Sequence, residues 1–253
     1  MREAMSKPAN IDDGFFPERA AGGFTRIDGT VQFYTRVNAL IEPEMTVVDL
    51  GAGRGAISES GAKVHRALCD LRGKAKNVIG VDVDRAVLDN PIVNEARVYD
   101  GRVMPLNDQS VDLIVADNTF EHIQDPTLFA SEIYRVLKPD GWLCARTPHL
   151  YSALVLAASV IPNRQHASAL RHIQPTRQAQ DTFPTTYKLN SRRALNQHFP
   201  SRTWDKHSFT WSPEPAYHFN SSIIYGFFLL YQYIKQPLFG GEVLMIFMRK
   251  KAG

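Results

Sequence analysis

Apolar positions change period along the chain, and each change marks an element. Val31, Tyr34, Val37, Leu40 and Ile41 recur at helical spacing, and Pro43 sets a stop. Thr46–Leu50 reads as a strand, an apolar run carrying the acid Asp49 near its end. Gly55 to Leu71 reads as a helix with Ile57, Val64, Ala67, Leu68 and Leu71 on one face, weakened by Gly61. Asn77–Asp82 is a second strand that also ends in an acid. A short helix around Ala86–Ala96, disturbed by Pro91, leads to a third strand at Arg97–Asp100 and a fourth at Val111–Ala116. Pro126–Leu137 has a helical apolar face of Leu128, Phe129, Ile133, Tyr134 and Leu137. Lys138–Gly141 is a turn, and Trp142–Arg146 a fifth strand. Strands alternating with helices predict an α/β fold, a parallel sheet covered by helices on both faces, with ligands at the carboxyl ends of the strands.

After Pro148 the alternation stops. Tyr151–Ile161 is apolar and helical in spacing. Residues 162–205 are polar and basic, with a helix at Ser191–Phe199. Lys206–Trp211 and Val243–Arg249 read as strands flanking the apolar stretch Ile223–Tyr231, extendable to Leu238. That stretch is too short and interrupted for a membrane span. A packing helix or dimer contact is the plainer reading, and a hydrophobic acceptor pocket or peripheral membrane contact the sharper one. Residues 1–253 are taken as one domain: an N-terminal lid and helix to residue 45, a cofactor-binding core over 46–149, an acceptor-side insertion over 150–205, and a final strand hairpin over 206–253.

The chain has 253 residues, 44% hydrophobic and 22% charged, which suits a globular protein with a sizeable core. Two cysteines make no disulfide framework, and the N-terminus has no apolar signal core, so a cytoplasmic location is expected. The net charge of +3 is unevenly spread. Residues 1–149 carry 17 Lys and Arg against 22 Asp and Glu, a net −5; residues 150–253 carry 12 against 4, a net +8. The basic part could attract an anionic substrate, nucleic acid or a membrane, or be a solvated face.

The chemistry gathers around Val47-Val48-Asp49-Leu50-Gly51-Ala52-Gly53-Arg54-Gly55. The glycines permit positive φ and let a nucleotide-like ligand approach the backbone. Alone, Gly51 to Ala56 also satisfies a GxGxxA dinucleotide fingerprint. Three acids add detail. Asp49 can meet a ligand's amino group. Asp82 can accept from both ribose hydroxyls. Asp100, followed by Gly101, can accept from an adenine amine. One acid each for ammonium, ribose and adenine suggests an adenosyl amino acid.

These residues resemble the class I S-adenosylmethionine-dependent methyltransferases, in order, from about Val31 to Pro148. Val47–Gly55 resembles the first motif of that family and Asn77–Asp84 its ribose-binding motif. Pro105–Leu113 resembles the loop into strand four, Phe120–Ile123 the segment after it, and Arg135–Gly141 the turn before strand five, with Asp140 where glycine is usual. The resemblance implies a Rossmann-like sheet of seven strands, mostly parallel, with helices on both faces and the last strand antiparallel. It implies that S-adenosyl-L-methionine is the cofactor. Gly51, Ala52, Gly53 and Gly55 would line its methionine part. Asp82 would bind ribose and Val83 flank adenine. Asp100 and Gly101 would edge the adenine, while Asp117 and Asn118 would approach the methionine end. Asp84 fits an N-cap better than a ligand contact.

His122 follows the fourth strand and His149 the fifth, and either could be a general base for an acceptor hydroxyl. His122 could equally orient its loop. Tyr187 and Asn190 could line the same pocket or simply structure a loop, and Tyr34 with Gly22-Gly23-Phe24 could belong to a lid. Asn118 stands where metal-binding relatives with Glu-x-x-Glu-His carry the first glutamate, so no metal is expected. The reading is an in-line transfer of a methyl group to a small-molecule or glycan acceptor, at oxygen. Methylation of nucleic acid, a nicotinamide oxidoreductase and a non-catalytic cofactor-binding protein are the alternatives. Against the oxidoreductase, Asp82 lies 29 residues beyond Gly53, where a dinucleotide fold needs about 20.

Overall fold

Val47 and Val48 are both fully buried, yet they belong to different cores. Successive strand residues face opposite sides of a sheet, so a strand apolar at both needs cover on both. A computed structural model, describing residues 11–59, 62–153, 155, 184–215, 218 and 220–252, shows that cover. The strands are β1 (Thr46–Leu50), β2 (Asn77–Asp82), β3 (Glu95–Val98), β4 (Val111–Asp117), β5 (Leu137–Pro148), β6 (Trp204–Lys206), β7 (Phe209–Trp211) and β8 (Val243–Lys250). The helices are α1 (Ile11–Phe15), α2 (Gly29–Leu40), α3 (Lys63–Cys69), α4 (Pro126–Val136), α5 (Arg192–His198) and α6 (Ser222–Phe239).

The sheet runs β3-β2-β1-β4-β5-β8-β6, with β7 also on β8. β1 to β5 pair in parallel, and β8 is antiparallel to β5. Val48, Ile114 and Leu143 share a core with Phe129, Ile133 and Val136 of α4; Val47, Leu113 and Cys144 share the other with Phe33 and Val37 of α2 and Cys69 of α3. The strand order reverses between β1 and β4, the place where open α/β sheets form a ligand crevice.

The α/β, mostly parallel architecture is as expected, with eight strands among the described residues where seven were expected. The stretch expected as one strand from Lys206 is divided: Lys206 pairs with Met248 and Phe209 with Met245, so β6 and β7 hold one register along β8 across the gap at His207 and Ser208. The expected helix from Gly55 is a 3-10 turn, Ala56–Glu59, followed by α3. Gly55, at φ +72°, stands outside the turn, and Ala62, extended at φ −80° and ψ 117°, precedes α3. The third strand begins earlier than expected, at Glu95, because Asn94 bonds β2 through both its amide and its side chain. The expected turn before strand five lies within β5, with Asp140 at φ +63°. Ser221 caps α6, which extends to Phe239 before Gly240 at φ +81°. The expected helix at Tyr151–Ile161 falls largely outside the described residues, as does the insertion up to residue 183. Tyr34 packs in the core, not in a lid. Among the described residues no helix is long and apolar enough to cross a membrane.

Candidate functional site

β1 delivers its carboxyl end beside those of β2 and β4. Gly51 N–H donates to Val81 O at 2.7 Å and turns the chain sharply at φ +77°. A Cβ on Gly51 would strike Thr119 Oγ1, itself donating to Leu50 O at 3.0 Å. Gly53, at φ +49°, has nothing within 4 Å of an added Cβ. The loop is thus tight at Gly51 and open at Gly53.

Asp82, 8% exposed, binds the loop back to β2. Its Oδ2 accepts from Gly53 N–H at 2.8 Å and its Oδ1 from Asp84 N–H at 2.8 Å. Each oxygen keeps a lone pair, so a ribose diol could still be accepted. Val83, half exposed, follows it. Asp84 caps the 3-10 turn after β2 through Ala86 N–H, as its sequence position suggested.

Asp49 lies enclosed between Asp82 and Asp117. Burial, then Asp117, then Asp82 push its carboxyl up to about 7. A cation placed there would relieve all three causes. Asp100 sits on an exposed turn with Gly101 at φ +80°; its Oδ1 accepts from Arg102 and Val103 N–H groups, and these bonds hold its carboxyl below the usual range.

Asp117 is engaged by Arg146, directly across the β4–β5 ladder. Nε donates to Oδ1 at 2.7 Å and Nη2 to Oδ2 at 2.6 Å. Arg146 Nη1 reaches Thr30 Oγ1 at 3.1 Å. Asn118, at φ +53°, donates its side-chain amide to Asp117 Oδ1 at 2.9 Å. Asp117, expected at the methionine end of a cofactor, is thus one half of an ion pair.

Beside Asn118 and Arg146 opens a cavity of about 380 Å³, lined also by Asp28, Gly29, Thr30, His65 and Glu214. A second, of about 160 Å³, shares Pro213, Glu214 and Val243 with it and adds Pro148, Pro215 and Phe228. His122 and His149 line neither. His122 Nδ1 donates to Pro184 O at 3.0 Å. His149 is buried, and desolvation followed by the Lys235 charge lowers its pKa. Asn190 donates to Thr147 Oγ1 and Pro148 O, both at 2.7 Å, and Tyr187 N–H donates to Glu121 O; these bonds fasten the segment from residue 184 to the β4 and β5 ends. Among the described residues no three His, Cys, Asp or Glu side chains are grouped to hold a metal.

The sequence reading missed three partners. Asn90 donates to the carbonyls of Ala52 and Gly53, each at 3.0 Å, and latches the glycine loop from below. Arg146 neutralises Asp117. His65 meets Asp28 at 2.7 Å between Nε2 and Oδ2. Only the buried polar residue before Pro91 left a signal; the other two pairings cross elements far apart in the chain.

An open glycine turn, a ribose-competent carboxylate and an enclosed acid suited to a cation define a nucleoside-binding α/β domain at a topological switch point. The comparisons refine this. A family model described as a methyltransferase domain matches residues 48–145. A protein of Mycolicibacterium smegmatis named probable S-adenosylmethionine-dependent methyltransferase is 38% identical over 79 residues, 30% of this chain and 31% of that one. A demethylmenaquinone methyltransferase of Lactobacillus johnsonii is 34% identical over 85 residues, 30% of this chain and 35% of its own. The match thus spans about a third of the length of these relatives. Among solved structures, an S-adenosylmethionine-dependent methyltransferase of Thermotoga maritima is similar with TM-score 0.52 and 15% identity, over 96% of this chain and 97% of its own, a likeness of fold. Residues 48–145 thus carry a methyltransferase-domain match, and the likeness to S-adenosylmethionine-dependent methyltransferases lies in that segment. The methyltransferase domain matched over residues 48–145 implies S-adenosylmethionine as the cofactor. The residues present fit it: the cradle at Gly53 is open, and Asp49 lacks a counter-cation.

Proposed function

We propose that this protein methylates a small-molecule acceptor at oxygen with S-adenosylmethionine. One arrangement supports the reading: Asn118 and Arg146, beside Asp117 at the end of β4, line an open cavity of about 380 Å³. That volume lies in the range of small-ligand pockets and is poorly suited to a polymer. A small acceptor also agrees with the relative named for demethylmenaquinone.

In this reading Asp49 takes the α-ammonium, Asp82 the ribose diol, Val83 one face of the adenine and Asp100 with Gly101 its edge. Gly51, Ala52, Gly53 and Gly55 hold the methionine part, with Asp117 and Asn118 at its end. When bound, the cofactor supplies an already electrophilic methyl group. The chain contributes position and dryness: the acceptor oxygen is held in line, water is excluded and the hydroxyl proton is removed. Tritiated S-adenosylmethionine incubated with the protein and a small-molecule cell extract should label a low-mass product. Label found only in protein or nucleic acid would defeat the small-acceptor reading.

A further inference from the structure

The two cavities adjoin, with Pro213, Glu214 and Val243 in the wall of each, and have unlike linings. The larger is polar. His65, on α3, and Asp28, just before α2, meet there at 2.7 Å, although 37 residues separate them. Asp28 Oδ1 accepts from Thr30 and Val31 N–H at 2.8 and 2.9 Å, which fixes Oδ2 against the imidazole. A carboxylate can only accept, so His65 Nε2 carries the proton it donates, and Nδ1 is the nitrogen able to take one. Arg146 is paired with Asp117 and Glu214 accepts from Thr25 Oγ1, so both are engaged by other groups. The smaller is largely apolar, walled by Pro148, Pro213, Pro215, Phe228 and Val243. Its acid Glu242 is already bonded to Lys235 at 2.5 Å and to Ala153 N–H at 2.7 Å.

We infer that the acceptor is an amphiphilic alcohol or phenol, with its hydroxyl at His65 and its apolar body against Phe228. This inference rests on the methyltransferase reading above. The acceptor O–H proton passes to His65 Nδ1 as the oxygen forms its bond to the methyl carbon. The carbon–sulfur bond of the sulfonium breaks, its electron pair stays on sulfur, and the imidazolium later releases its proton to water. Asp28 is a positioning residue that sets the tautomer.

4-Hexylphenol and phenol are the probes, each titrated calorimetrically into the S-adenosylhomocysteine complex and each assayed with labelled S-adenosylmethionine. Hexylphenol should bind at least tenfold more tightly than phenol, and Phe228→Ala should erase that difference. His65→Gln should keep S-adenosylhomocysteine and hexylphenol affinities within threefold and lower kcat about 10²- to 10⁴-fold, the usual size of a general-base contribution. Added imidazole should restore turnover in His65→Gly, which a purely structural role would not allow. In Asp28→Asn the helix cap is kept, and the ring ¹⁵N spectrum of His65 should lose its single Nε2–H tautomer. If hexylphenol binds no better than phenol, or His65→Gln turns over within threefold of the unmodified protein, the inference fails while the methyltransferase reading stands. If S-adenosylhomocysteine itself does not bind, both fail.

Discussion

Arg146 grips both oxygens of Asp117 across the β4–β5 ladder, at 2.7 and 2.6 Å, with the two side chains only 13% and 20% exposed. Arg146 also lines the cavity of about 380 Å³, and its cation offsets an acid that would otherwise face Asp49 unopposed. Removing one partner of a buried pair strands the other, at a cost of about 3–5 kcal/mol. Arg146→Met should therefore lose about that much stability in urea denaturation, and Arg146→Met combined with Asp117→Asn should recover most of it. Equal losses in both would show that the pair contributes packing alone.

The glycine turn separates folding from binding. At Gly51 an added Cβ meets Thr119 at positive φ, so Gly51→Ala should destabilise the fold and abolish cofactor binding. At Gly53 the space is open and the cost is the left-handed backbone alone, about 1–2 kcal/mol. Gly53→Ala should melt only a few degrees lower yet bind S-adenosylhomocysteine at least tenfold more weakly, if the open space beside Gly53 is where the cofactor lies. Scanning calorimetry and isothermal titration read the two effects separately.

Asp49 gives the site a pH dependence of definite sign. Its carboxyl titrates at about 7 in the folded chain against 3.8 when unperturbed, so the folded state holds the proton more tightly. Its linked contribution to stability is full below pH 4, falls as pH rises to about 7, and is flat above. Asp49→Asn should remove that decline. A ligand ammonium selects the ionised form, so affinity for S-adenosylhomocysteine should rise about tenfold between pH 6 and 8, and Asp49→Asn should flatten it.

Asn90 holds the loop carbonyls of Ala52 and Gly53. Asn90→Ala takes a donor from two part-buried carbonyls, of which Ala52 O keeps Gly55 N–H at 3.3 Å, a loss of about 1–3 kcal/mol at most. The expected result is faster amide exchange across residues 51–55 and weaker cofactor binding, with exchange in β4 and β5 unchanged.

Local pattern carried much of this. The Val47-Val48 run, the acids ending β1 and β2 and the glycines between them announced the strand–turn geometry, since each property is written within a few residues. The α4 cap at Asp125 and Pro126 was equally local. What stayed hidden depends on register or on distant segments. That Asp117 faces Arg146 follows from the pairing of two parallel strands, and that Asp28 meets His65 follows from how α2 packs on α3. The helix expected after Gly55 was misjudged because apolar spacing says nothing of the extended backbone that Ala62 adopts before α3. The α6 boundary lay in Ser221 and Gly240, outside the apolar run that drew attention.

The central claim, that this crevice holds S-adenosylmethionine through Asp82, is tested most directly by calorimetric titration of S-adenosylhomocysteine into the unmodified protein and Asp82→Ala, with circular dichroism confirming the fold. Saturable one-to-one binding, weakened at least thirtyfold by the substitution, is the predicted result. The absence of binding, or equal affinity in both proteins, would contradict it.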